Sequence, residues 1–185
     1  IYMPKLDIII GPMFAGKSSE LLRRIKLLKI LNKKYLVIKP DIDNRYSLDH
    51  IVSHDYIKEQ CITCKDLDEI KKYSLDGIDT VFIDEAQFFT ELKISVLNLL
   101  ENYNINVIIS GLNGDSNREK FGEILDLIPI CDNIIKLNAL CKICMDGTNG
   151  LFTHRLADNK QQILIGTTNE FIPICRKHYL ELNKS

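Results

Sequence analysis

The sequence has almost no excess charge. Its 24 Lys+Arg stand against 25 Asp+Glu, a formal net charge of −1. A protein that grips nucleic acid by bulk electrostatics is usually basic, so counterion release is not the expected driver and no direct nucleic-acid binding is predicted. No apolar run reaches the length needed to span a bilayer, and no signal-peptide pattern opens the chain. Internal repeats and low-complexity segments are missing as well. A disulfide framework is not needed either. With 45% hydrophobic and 26% charged residues over 185 positions, there is apolar material for one packed domain plus a small appendage. The expected location is the reducing cytoplasm, with no membrane partner.

What is present is an alternation of short apolar runs and helical stretches. Lys5 to Ile10 is a β-branched run stopped by Gly11-Pro12, and it reads as a buried strand. From Lys17 to about Leu31, apolar residues at Leu21, Leu22, Ile25, Leu28, Ile30 and Leu31 recur with helical spacing. Tyr35 to Ile38, Thr80 to Ile83, Asn106 to Ser110 and Ile134 to Leu137 supply further strands, mostly preceded by helix-like segments. Strands that alternate with helices imply crossovers and a mainly parallel sheet with helices on both faces. The fold class expected is therefore α/β. After Ala139 the character changes to turn formers without a long helical period. Residues 1–140 read as the main domain, and 141–185 as a small lobe that needs a staple.

Gly11-Pro12-Met13-Phe14-Ala15-Gly16-Lys17-Ser18 fits G-x-x-x-x-G-K-[ST] at every position, between the first strand and the first helix. Gly11 and Gly16 permit a tight loop whose N–H groups point at phosphate oxygens with no Cβ in the way. The helix from Lys17 aims its positive end at the same anion. Lys17 supplies a mobile cation for the β- and γ-phosphates, and the Ser18 hydroxyl is placed to ligate Mg²⁺, with Ser19 completing the phosphate-binding set. The pattern predicts a P-loop NTPase type of fold. Val81-Phe82-Ile83-Asp84-Glu85 is the expected partner, an apolar strand ending in two carboxylates. Asp84 would hold Mg²⁺ and Glu85 would act as a base on the attacking group. Alone, such a pair is also what a solvated turn carries; the glycine-rich loop gives it meaning.

Six cysteines remain to be placed. Cys141-x-x-Cys144 and Cys175-x-x-His178 can each grip one ion from a tight knuckle, and together they make a closed Cys₃His zinc site. No open position is left for water, so the metal is expected to be structural, tying both ends of the intervening loop. Cys61-x-x-Cys64 lacks a second pair. Cys131 reads as a small core residue. His50, His54 and His154 lie in polar segments and are expected to be solvated.

Longer stretches carry a resemblance. GPMFAGKSSELLRR, PDIDNRYS, VFIDEAQFF, GLNGDSNREKFGEILDLIP, KLNALCKIC and IGTTNEFIPICRKHY follow one another in an order that resembles the type II thymidine kinases, the cellular and poxvirus-like class, from about residue 5 to 180. The resemblance implies transfer of the γ-phosphoryl of ATP to the 5′-hydroxyl of thymidine, with Mg²⁺ accompanying ATP and a structural Zn²⁺. It also implies a homotetramer inhibited by the end product dTTP. By the same resemblance, Glu85 is the catalytic base and Asp84 the magnesium-side carboxylate, acting with Lys17. Asp43 and Arg45 fall on an Asp-x-Arg pair near the transferring phosphate. Phe88 and Phe121 match walls of the nucleoside pocket, Met13 and Leu112 lie where the base is contacted, and Thr153 joins the substrate-binding set. Gln162, Ile163, Leu164, Ile165 and Gly166 match a lasso strand whose backbone groups hydrogen-bond the pyrimidine. Phe171 takes a place usually held by Tyr.

Three further positions depart from the family pattern: Asn113 for Asp, Ser116 for an aromatic, and His178 for Cys. The first two bear on substrate affinity; the third preserves zinc chemistry. Rival readings are a P-loop switch that hydrolyses nucleotide and a DNA-associated ATPase with a zinc knuckle. A GTPase would need N-K-x-D, which Asn32-Lys33-Lys34-Tyr35 fails at its last position. The near-neutral charge and few aromatics of 141–185 oppose a nucleic-acid module.

Overall fold

The computed structural model describes residues 3–43, 49–52, 58–156 and 170–184. In chain order the elements are β1 (Leu6–Gly11), α1 (Lys17–Ile30), β2 (Tyr35–Pro40), β3 (His50–Val52), β4 (Lys58–Gln60), β5 (Ile62–Cys64) and β6 (Thr80–Ile83). They continue as α2 (Leu92–Glu101), β7 (Asn106–Leu112), β8 (Asn133–Lys136), β9 (Ala139–Leu140), β10 (Asn149–Gly150), β11 (Phe152–Arg155), β12 (Phe171–Ile174) and α3 (Arg176–Leu182). Six strands form one sheet in the order β5-β2-β6-β7-β1-β8, and every adjacent pair is parallel.

The alternation of side chains along the strands explains why these runs are apolar throughout. Leu6, Ile8, Ile10, Val81, Ile83, Val107 and Ile109 pack on one face with Leu92, Val96, Leu99 and Leu100 of α2. Ile9, Val37 and Phe82 pack on the other face with Leu21, Leu22 and Ile25 of α1. A parallel sheet covered on both sides needs both parities of each strand to be hydrophobic. Burial of one such Leu or Ile side chain contributes about 1.5–3 kcal/mol, so the two layers together fix the sheet. Because all six strands run the same way, the exits of β1, β2, β6 and β7 share one edge. In an open α/β sheet this carboxyl edge is where ligands bind.

The five expected strands and the first helix are all found, within one or two residues at their ends. The edge strand β5 was not anticipated. Before β6 the chain makes a 3₁₀ helix, Leu67–Lys72, opened by an Asp66–Glu69 capping box. Cys61 packs on the α1 face and Cys64 on the α2 face, so the two thiols point to opposite sides of the sheet and cannot share one ion. Burial pushes them up to about 11 and about 12. Cys131 is a correction: it is only partly buried at the core's margin, its Sγ donating to Ile128 O at 3.2 Å. His154 is another, since it sits half-buried on β11 and burial lowers its pKa. His50 faces Asp49 with 2.8 Å between Nδ1 and Oδ1; His54 lies outside the described residues.

Beyond the sheet, β9 pairs antiparallel with β10, and β11 with β12. Leu151 N–H donates to Ile174 O at 2.8 Å, and Lys142 N–H to Pro173 O at 2.9 Å, which binds the two ribbons together. No described helix is long and apolar enough to cross a membrane.

Candidate active site

The loop after β1 is shaped by two left-handed residues, Phe14 (φ 64°) and Gly16 (φ 79°). Such turns bring successive N–H groups round toward one point, a concavity suited to an anion. The helix α1 starts at Gly16 without a side-chain cap, so its first-turn N–H groups keep the positive end open to phosphate. Gly11 serves a different purpose from the one expected. A Cβ there would stand 2.4 Å from the Leu137 carbonyl oxygen, so the glycine is required by the chain leaving β8. Lys17 is buried, and its Nζ donates to Pro12 O at 2.8 Å, holding the cation along the loop. Ser18 and Ser19 follow in the first turn of α1.

One strand away across β7, β6 delivers Asp84 to the same edge. Its N–H donates to Ile38 O at 2.9 Å, locking the end of β6 to β2. Ser18 Oγ donates to Asp84 Oδ2 at 2.9 Å, while Oδ1 accepts from Ser110 Oγ and from Glu85 N at 3.0 Å. Burial, reinforced by the neighbouring Glu85 charge, pushes Asp84 up to about 6 against the hydrogen bonds from Ser110 and Ser18. A hydroxyl and a carboxylate in direct contact are hard oxygen donors of the kind Mg²⁺ takes. Glu85 is itself left-handed (φ 49°), and its Oε2 accepts from Gln87 Nε2 at 2.6 Å. Asp43 is buried just past β2, where its carbonyl accepts from Lys39 Nζ at 3.0 Å. Arg45 lies outside the described residues.

Glu85 and Asp43 stand in the wall of a narrow, partly open cleft. Met13, Phe88, Leu112, Ser116, Phe121, Thr153 and Phe171 line it as well. Met13, Leu112, Phe121 and Phe171 pack as one cluster with Phe14 and Phe88 on its margin. The rings of Phe88 and Phe121 meet edge to face at 5.4 Å. Met13 N–H donates to the buried Thr153 Oγ1 at 3.0 Å, joining the phosphate loop to β11. The segment Gln162, Ile163, Leu164, Ile165, Gly166 lies outside the described residues. Four lining residues were missed: Gln87, Gly114, Asp115 and Arg155, the last with its guanidinium 5.2 Å from the Phe171 ring centre. None belongs to a spacing pattern that marks it in advance, although Gln87 stands only two residues past Glu85.

The second cluster is Cys141, Cys144, Cys175 and His178, whose ligand atoms all lie within 4.8 Å of one another. His178 Nδ1 is 3.5, 3.4 and 3.3 Å from the sulfurs of Cys141, Cys144 and Cys175, and the sulfurs of Cys144 and Cys175 are 3.8 Å apart. A tetrahedron built on Zn–S and Zn–N bonds has edges of about 3.8 Å between sulfurs and about 3.5 Å between sulfur and nitrogen. The donor set and its spacing therefore fit zinc. Burial works against the Cys141 thiolate, but N–H donors from Cys144, Cys175 and Ile143 prevail and bring it down to about 6. Next to the cluster, the buried Tyr179 donates its hydroxyl to Ser116 O at 3.1 Å, and the Arg118 guanidinium lies 4.2 Å from its ring centre. The metal knuckle is thus tied to the loop that walls the cleft.

A phosphate-cradling loop at the carboxyl edge of a parallel sheet, with an acidic strand end facing it, defines a P-loop phosphotransferase. The comparison with known proteins narrows this. The thymidine kinase family model matches residues 4–179, and the chain belongs to that family. It is 38% identical to a thymidine kinase of Oryza sativa subsp. japonica, over 97% of this chain and 68% of the relative. A thymidine kinase of Mycoplasma mobile is 39% identical over 95% of this chain and 87% of its own. One from Bacteroides thetaiotaomicron is 40% identical with the same two coverages, 95% and 87%.

Proposed function

We propose that the chain transfers the γ-phosphoryl of ATP to the 5′-hydroxyl of thymidine, a salvage step that feeds DNA synthesis. The observation that supports it most directly is that Glu85 opens onto the apolar cleft while Asp84, one residue before, touches Ser18 of the phosphate loop at 2.9 Å. Phosphates and a nucleoside would therefore meet at this carboxylate pair.

In the proposed step the 5′-oxygen attacks the γ-phosphorus as its proton passes to Glu85. The bond to the β–γ bridging oxygen breaks, and ADP leaves with those electrons. Lys17 and the loop of residues 11–19 bind the phosphates, and Asp43 and Arg45 would act on the group in transfer. Mg²⁺, held by Ser18 and Asp84, would neutralise charge on the β- and γ-oxygens. The base would lie among Met13, Leu112, Phe121 and Phe171, with Phe88, Thr153 and Ser116 alongside, and residues 162–166 would read its edge through their backbone. A pyrimidine fits this scheme; a purine's second ring would strike Phe121 or Phe171.

Residues 1–140 act as the phosphoryl-transfer domain and 141–185 as a zinc-stapled lobe over the nucleoside, with Zn²⁺ as a structural ion on Cys141, Cys144, Cys175 and His178. The large exposed apolar residues Leu27, Ile30 and Leu31 of α1 and its C-cap support self-association, and a homotetramer is proposed. Inhibition by dTTP follows from its joining the same base to phosphates. The working compartment is cytoplasmic, in keeping with six cysteines of which none is paired in a disulfide.

The test is phosphorylation of a nucleoside panel with Mg-ATP, run on the wild-type chain and on Glu85→Gln. Thymidine should be the best substrate, deoxyuridine poorer and purines inert. Glu85→Gln should lose about 10²–10⁴-fold in kcat. ATP turnover that ignores added nucleoside would instead favour a hydrolytic switch.

A further inference from the structure

Gln87 is almost fully buried, 3% exposed, in the 3₁₀ helix Ala86–Phe88 immediately after the carboxylate pair. Both ends of its amide are engaged. Leu112 N–H donates to Oε1 at 3.0 Å, and Nε2 donates to Glu85 Oε2 at 2.6 Å. The orientation is not arbitrary. A backbone N–H needs an acceptor, so the carbonyl must face Leu112, and this turns the NH₂ toward Glu85.

Two glycines make room for the arrangement. A Cβ on Gly111 would stand 2.5 Å from Gln87 Oε1, and one on Gly122 would stand 2.2 Å from Gln87 O. A space-filling role would be met by Met or Leu without buried polar atoms. From this geometry we infer that Gln87 is a positioning residue, which holds the Glu85 carboxylate by Oε2 and registers it against Leu112 in the nucleoside wall. The donor on Oε2 also braces a residue held in the left-handed region. One amide thus sets the distance between the base and the wall that seats the nucleoside. The inference rests on Glu85 being the base.

The experiment is a double-mutant cycle on the full chain with Gln87→Met and Glu85→Gln, each checked for an intact thermal transition. Gln87→Met should lower kcat about 10–100-fold, because a displaced base misses its near-attack geometry, while the KM for ATP stays within about twofold. In the Glu85→Gln background the same change should cost almost nothing further, since groups that act as a unit are not additive. An undiminished kcat in Gln87→Met, a change confined to KM, or losses that simply multiply across the cycle would overturn the inference and leave Glu85's role intact. Near-wild-type activity of Glu85→Gln would remove the base assignment itself, and the inference with it. Should Gln87→Met fail to fold, Gly111→Ala tests the same point, because its Cβ would stand 2.5 Å from Oε1, with Ile124 Cδ1 at 2.9 Å and Ala86 N at 3.3 Å the other close atoms.

Discussion

Removing a single hydroxyl, that of Tyr179, should weaken nucleoside binding from outside the cleft. Tyr179 follows the zinc ligand His178 directly and is 5% exposed. Its hydroxyl donates to Ser116 O at 3.1 Å, and its ring packs 5.2 Å from Phe152 and 4.2 Å from the Arg118 guanidinium. Tyr179→Phe keeps both ring contacts and deletes only the bond to the Ser116 loop. A neutral hydrogen bond contributes about 0.5–1.5 kcal/mol net, which is about 2- to 13-fold in an equilibrium constant. The loop touches the nucleoside site, not the transferring phosphate, so ground and transition states should lose the bond's effect equally. The loss should then appear in the KM for thymidine with kcat preserved. Steady-state kinetics with thymidine varied at saturating Mg-ATP measure this directly. An unchanged KM, or a fall in kcat at constant KM, would refute the idea that the knuckle braces the wall through this bond.

Asp84→Asn should abolish transfer yet stabilise the ligand-free protein at neutral pH. Asp84 is raised from 3.8 to about 6, so the fold disfavours its charged form. That destabilisation is complete above about pH 6, fades as pH falls toward 3.8, and amounts to as much as about 3 kcal/mol. Denaturant melts at pH 7.5 and pH 4 should therefore show a gap that closes at the acid end. Elemental analysis should find about one zinc per chain, and Cys175→Ser should lose the metal and make the 145–174 segment susceptible to proteolysis. Ser116→Phe should lower the KM for thymidine with little change in kcat, as stacking on a base is worth about 1–3 kcal/mol and is equal in both states.

How much of this was legible beforehand depended on whether the signal was local. The glycine-rich loop, the Asp84-Glu85 strand end and the two knuckles are contiguous patterns in which spacing dictates geometry. The sheet was legible because strands buried on both faces must be apolar at every position, as Leu6 through Ile10 nearly are. By contrast β5 reads Ile-Thr-Cys, too short and mixed to register as a strand until β2 pairs with it. The partners of the site were invisible for another reason. Gln87 meets Leu112 across 25 residues, Ser110 meets Asp84 across 26, and Tyr179 meets Ser116 across 63. No periodicity encodes such contacts; they exist only once the sheet has brought the strand ends to one edge.

That dependence on the sheet has an energetic side. Asp84 is a buried carboxylate next to a second carboxylate, and Glu85 and Phe14 both occupy the left-handed region. Strain and burial of this kind cost of order 1–3 kcal/mol per residue and persist only where the surroundings over-determine the conformation. Here the over-determination is visible. Asp84 is pinned through its backbone to Ile38 and through its side chain to Ser18 and Ser110, while Glu85 is pinned to Gln87. Each anchor comes from a different strand or helix of the same layered core, so the apolar packing that fixes the sheet also holds the charges where a cation and phosphates would relieve them. Ligand binding should therefore stabilise this protein by more than its contacts alone supply, because it also discharges a cost already built into the empty edge of the sheet.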